Sequence, residues 1–191
     1  MPVQRQNAND QSSSSSNSFL QQIFESRLKS EIDENDLLIL LNDTELSRSF
    51  DRHSKFTIDH CKLLISAVVH SKNTLSLPEF VSVINLLYTW RNFFRRHDLD
   101  RNGIIEPYAL VNILNSLRFN LSPSTLEIIV KRYSTRVDSN SPAKISFEHY
   151  VQLCARLTLL NNLMQQKSTN DSPRNICSFS IDEFMQLALN L

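Results

Sequence analysis

The stretch Trp90-Arg-Asn-Phe-Phe-Arg-Arg-His-Asp98-Leu-Asp100-Arg-Asn102-Gly103-Ile104-Ile105-Glu106-Pro-Tyr-Ala109 decides the fold. It is a short polar loop flanked on both sides by helix-forming sequence. Within a twelve-residue frame, Asp98, Asp100 and Asn102 take the first, third and fifth positions, Ile104 offers a carbonyl at the seventh, and Glu106 stands at the ninth. A hard divalent cation needs several oxygen donors, and this spacing supplies them from one turn of chain. Gly103, the only glycine of the chain, falls at the sixth position, where such a loop turns sharply. Ile105 at the eighth is an apolar anchor. Ala109 at the twelfth is not a ligand, so the bidentate carboxylate that closes the shell is missing.

This is most of an EF-hand loop. Without an acid at the twelfth position, Ca²⁺ affinity is expected at roughly 10⁻⁴–10⁻³ M or weaker. Mg²⁺, which keeps several of its own waters, is the second candidate ion. The competing reading is a vestigial turn kept for packing.

Four further stretches repeat the loop's extended segment and apolar anchor. The anchors Ile32, Leu75, Ile105, Ile145 and Phe179 are separated by 43, 30, 40 and 34 residues, and each short step is bridged by one shared helix. Counting back from each anchor as the eighth position, the first loop offers Glu25, Arg27 and Lys29 with Asp36 at the twelfth. The second offers Val68, His70 and Lys72 with Glu79. The fourth offers Asp138, Asn140 and Pro142 with His149, and the fifth Ser172, Arg174 and Ile176 with Glu183. Basic and apolar residues at these positions do not bind a dication, so these are loop shapes without the loop's chemistry.

Two long amphipathic segments, from Pro78 to His97 and from Glu148 to Met164, carry the same stripe. A shift of 70 positions lays Phe80 on Tyr150, Val83 on Leu153, Ile84 on Cys154, Leu87 on Leu157, Trp90 on Leu160 and Phe94 on Met164. Such stripes are ordinarily core.

Composition agrees with an all-α chain. With one Gly and six Pro in 191 residues, phosphate loops, dinucleotide fingerprints, nucleophile elbows and turn-rich β architectures are disfavoured. Twenty basic residues balance 20 acidic ones, so no net field draws the protein to nucleic acid. Residues 1–17, with a serine run from Ser12 to Ser16, hold too little apolar surface to offset ordering entropy and are expected to be a disordered tail. The absence of a long apolar run or signal-like start points to a soluble, cytoplasmic protein. Cys61, Cys154 and Cys177 suit reduced thiols.

These residues resemble the penta-EF-hand family over about Phe19 to Leu191. The most specific stretch is Trp90 to Ile105; Phe19-Leu20 with Ile23-Phe24, Pro78-Glu79-Phe80 and Leu157-Thr-Leu are also similar. The resemblance implies five EF-hand-like repeats in about eight helices over residues 18–191, with hands near 19–41, 59–87, 80–117, 122–157 and 148–191. Hands one and two, and three and four, are expected to pair, leaving the fifth unpaired within the chain.

By that resemblance the fifth hand joins a homodimer or heterodimer with another penta-EF-hand chain. Its interface is expected at Phe179, Ile181, Phe184, Met185, Leu187, Ala188 and Leu191. The implied role is a non-enzymatic adaptor or regulatory subunit that takes peptide segments of target proteins, with reversible membrane association possible. The metal residues are Asp98, Asp100, Asn102, Ile104 and Glu106, for Ca²⁺ held weakly or not at all. The alternative is a Ca²⁺ sensor that exposes a hydrophobic surface. A thiol- or His-based enzyme is disfavoured, because His60 and Cys61 are helical neighbours that point apart and the histidines show no zinc spacing.

Overall fold

The computed structural model describes residues 18–43, 45–46, 50, 55–69, 72–119, 121–136, 142–167 and 180–181. The expected tail at residues 1–17 lies outside them. Helices dominate: α1 at 18–25, α2 Glu34–Asp43, α3 Ile58–Val68, α4 Leu77–Arg95, α5 Pro107–Ser116, α6 Pro123–Tyr133 and α7 Phe147–Lys167. Two short strands, β1 Ile104–Ile105 and β2 Ile145–Ser146, are the only regular extended segments among the described residues. The fold is all-α and EF-hand-like.

Local chemistry sets the helix boundaries. The Asp33 carboxylate accepts the backbone N–H groups of Asn35 and Asp36, each at 2.9 Å, and so starts α2. Thr57 and His60 form a capping box at the start of α3, with the Thr57 N–H donating to His60 Nδ1 at 3.1 Å. Proline in the first turn of α4, α5 and α6 lacks only an N–H that the helix would leave unpaired. At the end of α5 the chain turns left-handed at Arg118, φ 63°, where the Phe119 N–H donates to Leu114 O and the Arg118 N–H to Asn115 O, both at 3.0 Å. This double bond is a Schellman closure, with arginine in glycine's usual place.

The helices form pairs joined through their loops. Ile32 and Leu75 exchange both backbone hydrogen bonds, at 3.0 and 2.8 Å, linking the loop after α1 to the loop after α3. β1 and β2 pair antiparallel, with Ile105 opposite Ile145, linking the loops after α4 and α6. In both pairs one loop's eighth residue faces the other's. α4 leaves the second loop and enters the third, so one helix serves two hands.

Aromatic side chains join the pairs into one core. Phe24 meets Phe80 with ring centroids 5.6 Å apart, while Phe94 packs on Phe147 at 5.1 Å and on Tyr150 at 5.2 Å. The Tyr150 hydroxyl donates to Trp90 O at 3.1 Å, satisfying a buried polar group from α4 to α7. α3 lies along α7, fixed at one end by Lys55 N–H to Glu148 Oε1 and at the other by Asn162 Nδ2 to Ala67 O, both 3.1 Å.

The duplicated stripe holds for only half its length. Phe80, Val83, Ile84, Leu87, Trp90 and Phe94 are all buried, as are Tyr150, Leu153 and Cys154. Leu157 and Leu160 are half-buried and Met164 is exposed; Leu159 takes a core position instead. The second half of α7 leads toward residues 168–179, which lie outside those described. Among the described residues no helix is long and apolar enough to cross a membrane.

Candidate metal loop and its neighbours

The third loop begins as α4 runs out. His97 and Asp98 donate their N–H groups to Phe94 O at 2.9 and 3.0 Å, the last turn of the helix. The Asp98 side chain is then drawn inward. Its Oδ1 accepts the Asn102 N–H and its Oδ2 the Gly103 N–H, each at 3.0 Å. Arg101 sits at φ 54° and Gly103 at φ 76°, so the chain makes two left-handed steps that turn it back on itself. Asn102 Oδ1 accepts the Ile104 N–H at 3.0 Å, after which Ile105 enters the β pair.

This backbone keeps an EF-hand turn, but its donors are not gathered into a metal shell. Asp98 is buried, while Asp100, Asn102 and Glu106 are exposed and Ile104 is half-buried. Ala109 is 3% exposed on α5, so the twelfth position contributes packing where a carboxylate would contribute two oxygens. Among the described residues no group of three or more His, Cys, Asp or Glu side chains could hold a metal ion. Arg91, Arg95 and Arg101 line a cavity of about 30 Å³ beside Asp98, and their positive charge opposes a dication there. The donor set fits an oxygen-seeking ion incompletely. Ca²⁺ is held weakly here or not at all.

In the first and second loops the lysines at ligand positions are paired with the loops' own acids. In the first, Asp36 at the twelfth position receives Lys29 Nζ at 2.6 Å and Arg27 through Nε at 3.0 Å and Nη2 at 2.8 Å. Burial works to raise the Asp36 pKa, but hydrogen bonds from Lys29, Arg27 and the Asp33 backbone outweigh it and hold the carboxyl below its ordinary range. In the second loop Lys72 Nζ lies 3.0 Å from Glu79 Oε2 at the twelfth position and 2.5 Å from Glu31 Oε1 of the first loop. The Ser76 hydroxyl and N–H, at 2.6 and 2.7 Å, together with Lys72 hold the Glu79 carboxyl down at about 2. The signal in the sequence was a basic fifth position paired with an acidic twelfth, at Lys29 with Asp36 and at Lys72 with Glu79.

In the fourth loop Thr135 and Lys144 exchange backbone bonds at 2.7 and 2.9 Å, and Pro142 and His149 offer no carboxylate. Asp138 and Asn140 lie outside the described residues. So do Ser172, Arg174, Ile176 and Glu183 of the fifth loop, and the expected interface residues Phe179, Phe184, Met185, Leu187, Ala188 and Leu191. Ile181, the described member of that set, is 83% exposed.

Comparison with known proteins gives this geometry its lineage. No family model matches the chain. Mouse sorcin is 29% identical over 140 residues, covering 73% of this chain and 67% of sorcin. Mouse peflin is 29% identical over 117 residues, which take in 61% of this chain and 42% of peflin. Among solved structures, a homolog of programmed cell death 6 protein from Leishmania major Friedlin aligns with a TM-score of 0.59 at 15% identity, covering 90% of this chain and 88% of that one. That likeness bears on the fold, and the sequence relatives bear on descent. These relatives and this fold support the resemblance to the penta-EF-hand family.

Among the described residues, the buried thiols and His60 of the chain serve the core and a helix cap. Burial pushes Cys61 up to about 12 and Cys154 well above the ordinary thiol range. His60, beside Cys61 in sequence, spends its Nδ1 on the α3 capping box. Neither group is poised for nucleophilic chemistry.

Proposed function

We propose that the chain is an adaptor or regulatory dimer subunit of the penta-EF-hand type, with five hands and about eight helices over residues 18–191. The observation that carries this reading is the pairing of apolar anchors two by two, Ile32 with Leu75 and Ile105 with Ile145. Five anchors cannot all pair within one chain, so Phe179 needs a counterpart in a second copy or a related chain. The exposure of Ile181 agrees with that arrangement. The fifth-hand face then runs over Phe179, Ile181, Phe184, Met185, Leu187, Ala188 and Leu191.

On this reading the dimer takes peptide segments of target proteins, with reversible membrane contact as a secondary mode. It works in the cytoplasm and without nucleic acid. Asp98, Asp100, Asn102, Ile104 and Glu106 serve at most as a weak Ca²⁺ site, or as a water-rich Mg²⁺ site. Sedimentation equilibrium tests the assembly. The full chain is expected to sediment as a dimer, and Phe184→Asp with Leu187→Asp to give a monomer that keeps its helical circular dichroism. An unchanged dimer in the double variant overturns the fifth-hand assignment.

A further inference from the structure

Lys29 and Lys72 occupy equivalent places, the fifth positions of the first and second loops, and each reaches its own loop's twelfth-position carboxylate, at 2.6 Å to Asp36 and 3.0 Å to Glu79. The third and fourth loops have neither half of this arrangement, with Asn102 and Ala109 in one and Pro142 and His149 in the other. In those four loops an acid stands at the twelfth position only where a lysine stands at the fifth. In the first and second loops the carboxylate that would close around a dication therefore has a lysine of the chain's own in reach.

We propose that Lys29 and Lys72 act as built-in substitutes for a bound divalent cation, holding the first pair of hands in one arrangement whether or not Ca²⁺ is present. The backbone of the first loop supports this. Leu28, at the fourth position, has φ 54°, the same as Arg101 at the fourth position of the third loop. The Leu28 N–H donates to Glu25 O at 2.9 Å, as Arg101 N–H does to Asp98 O at 3.3 Å. A leucine 95% exposed at a left-handed φ is costly, so the loop is held in that turn from elsewhere. Arg27 and Lys29, converging on a buried Asp36, hold it.

Lys72 also couples the two loops. Its second partner, Glu31, immediately precedes the first anchor Ile32, and Thr74, immediately before the second anchor Leu75, donates its hydroxyl to Glu31 at 2.5 Å. The Glu31–Lys72–Glu79 chain thus runs alongside the Ile32–Leu75 backbone pair and spans the same junction. A metal ion closes its own loop; this lysine closes its own loop and fastens it to the neighbour. The inference concerns hands one and two and stands whether or not the third loop binds an ion.

Amide hydrogen exchange on the full chain tests it, with Lys72→Met as the main variant and Lys29→Met as the second. In the unsubstituted protein, protection at Ile32 and Leu75 is expected to be the same in EDTA and in millimolar Ca²⁺. Lys72→Met should lower protection at both amides by about threefold or more, with Ile105 and Ile145 unchanged. Lys29→Met should do the same at Ile32. Lys62→Met, which removes an exposed lysine of α3, should leave all four unchanged. Protection at Ile32 and Leu75 that shifts with Ca²⁺, or that survives both loop substitutions, overturns the proposal.

Discussion

Asp98 accepts the backbone N–H of Gly103 at 3.0 Å, so the turn of the third loop is closed by the protein's own carboxylate. Removing that carboxylate leaves the buried Gly103 N–H without a partner. Asp98→Ala is expected to cost about 1–3 kcal/mol of stability, measured by urea denaturation. Asp100→Ala, at an exposed position, should cost far less.

Restoring the missing donor is the direct test of why the loop binds poorly. Ala109→Glu supplies a carboxylate at the twelfth position but brings it into a site where alanine is 3% exposed. Without ion the variant should melt at a lower temperature than the parent, because a charged side chain is forced against the core. Ca²⁺ should recover that loss, and calorimetry should show affinity at least about tenfold tighter than the parent's.

Arg118 closes α5 in a left-handed conformation that only glycine adopts without strain. Arg118→Gly is expected to stabilise the protein by about 0.5–1 kcal/mol. Thermal unfolding checks the sign, and Arg118→Val should move it the other way.

His60 links acidity to α3. Burial holds its pKa below the ordinary histidine value of 6.5, with His149 and Arg156 adding to the effect and Glu148 and Asp59 opposing it. Its Nδ1 accepts the Thr57 N–H, which only the neutral ring can do. With the folded pKa below the unfolded one, this contribution is full above pH 6.5 and is lost as pH falls from there through the lowered folded value. His60→Gln keeps a capping-box acceptor without titrating, so its melting temperature should fall less than the parent's over that window.

The chain's pairing register was readable from sequence because it depends on local counting. Ile32, Leu75, Ile105 and Ile145 each follow a polar loop by a fixed step, and the eighth positions meet as the count requires. Gly103 was readable for the same reason: one left-handed position, one glycine. The internal ion pairs were not. Lys29 and Lys72 read as faults in two metal loops, and only their placement against Asp36, Glu79 and Glu31 shows them neutralising the acids there. The stripe on α7 is fully buried only in its first half, because periodicity marks which residues share a face and not whether that face is covered. Leu153 and Cys154 are buried, whereas Met164 is partly exposed.

The third loop of this chain keeps an EF-hand turn and lacks the shell to hold Ca²⁺ tightly. Calorimetric titration of the purified full chain with Ca²⁺, from about 1 μM to 1 mM free ion and with Mg²⁺ as control, tests it most directly. No heat is expected in the micromolar range, and at most a weak response toward 1 mM. A saturable micromolar midpoint would contradict it, and would make the chain a sensor in spite of Ala109.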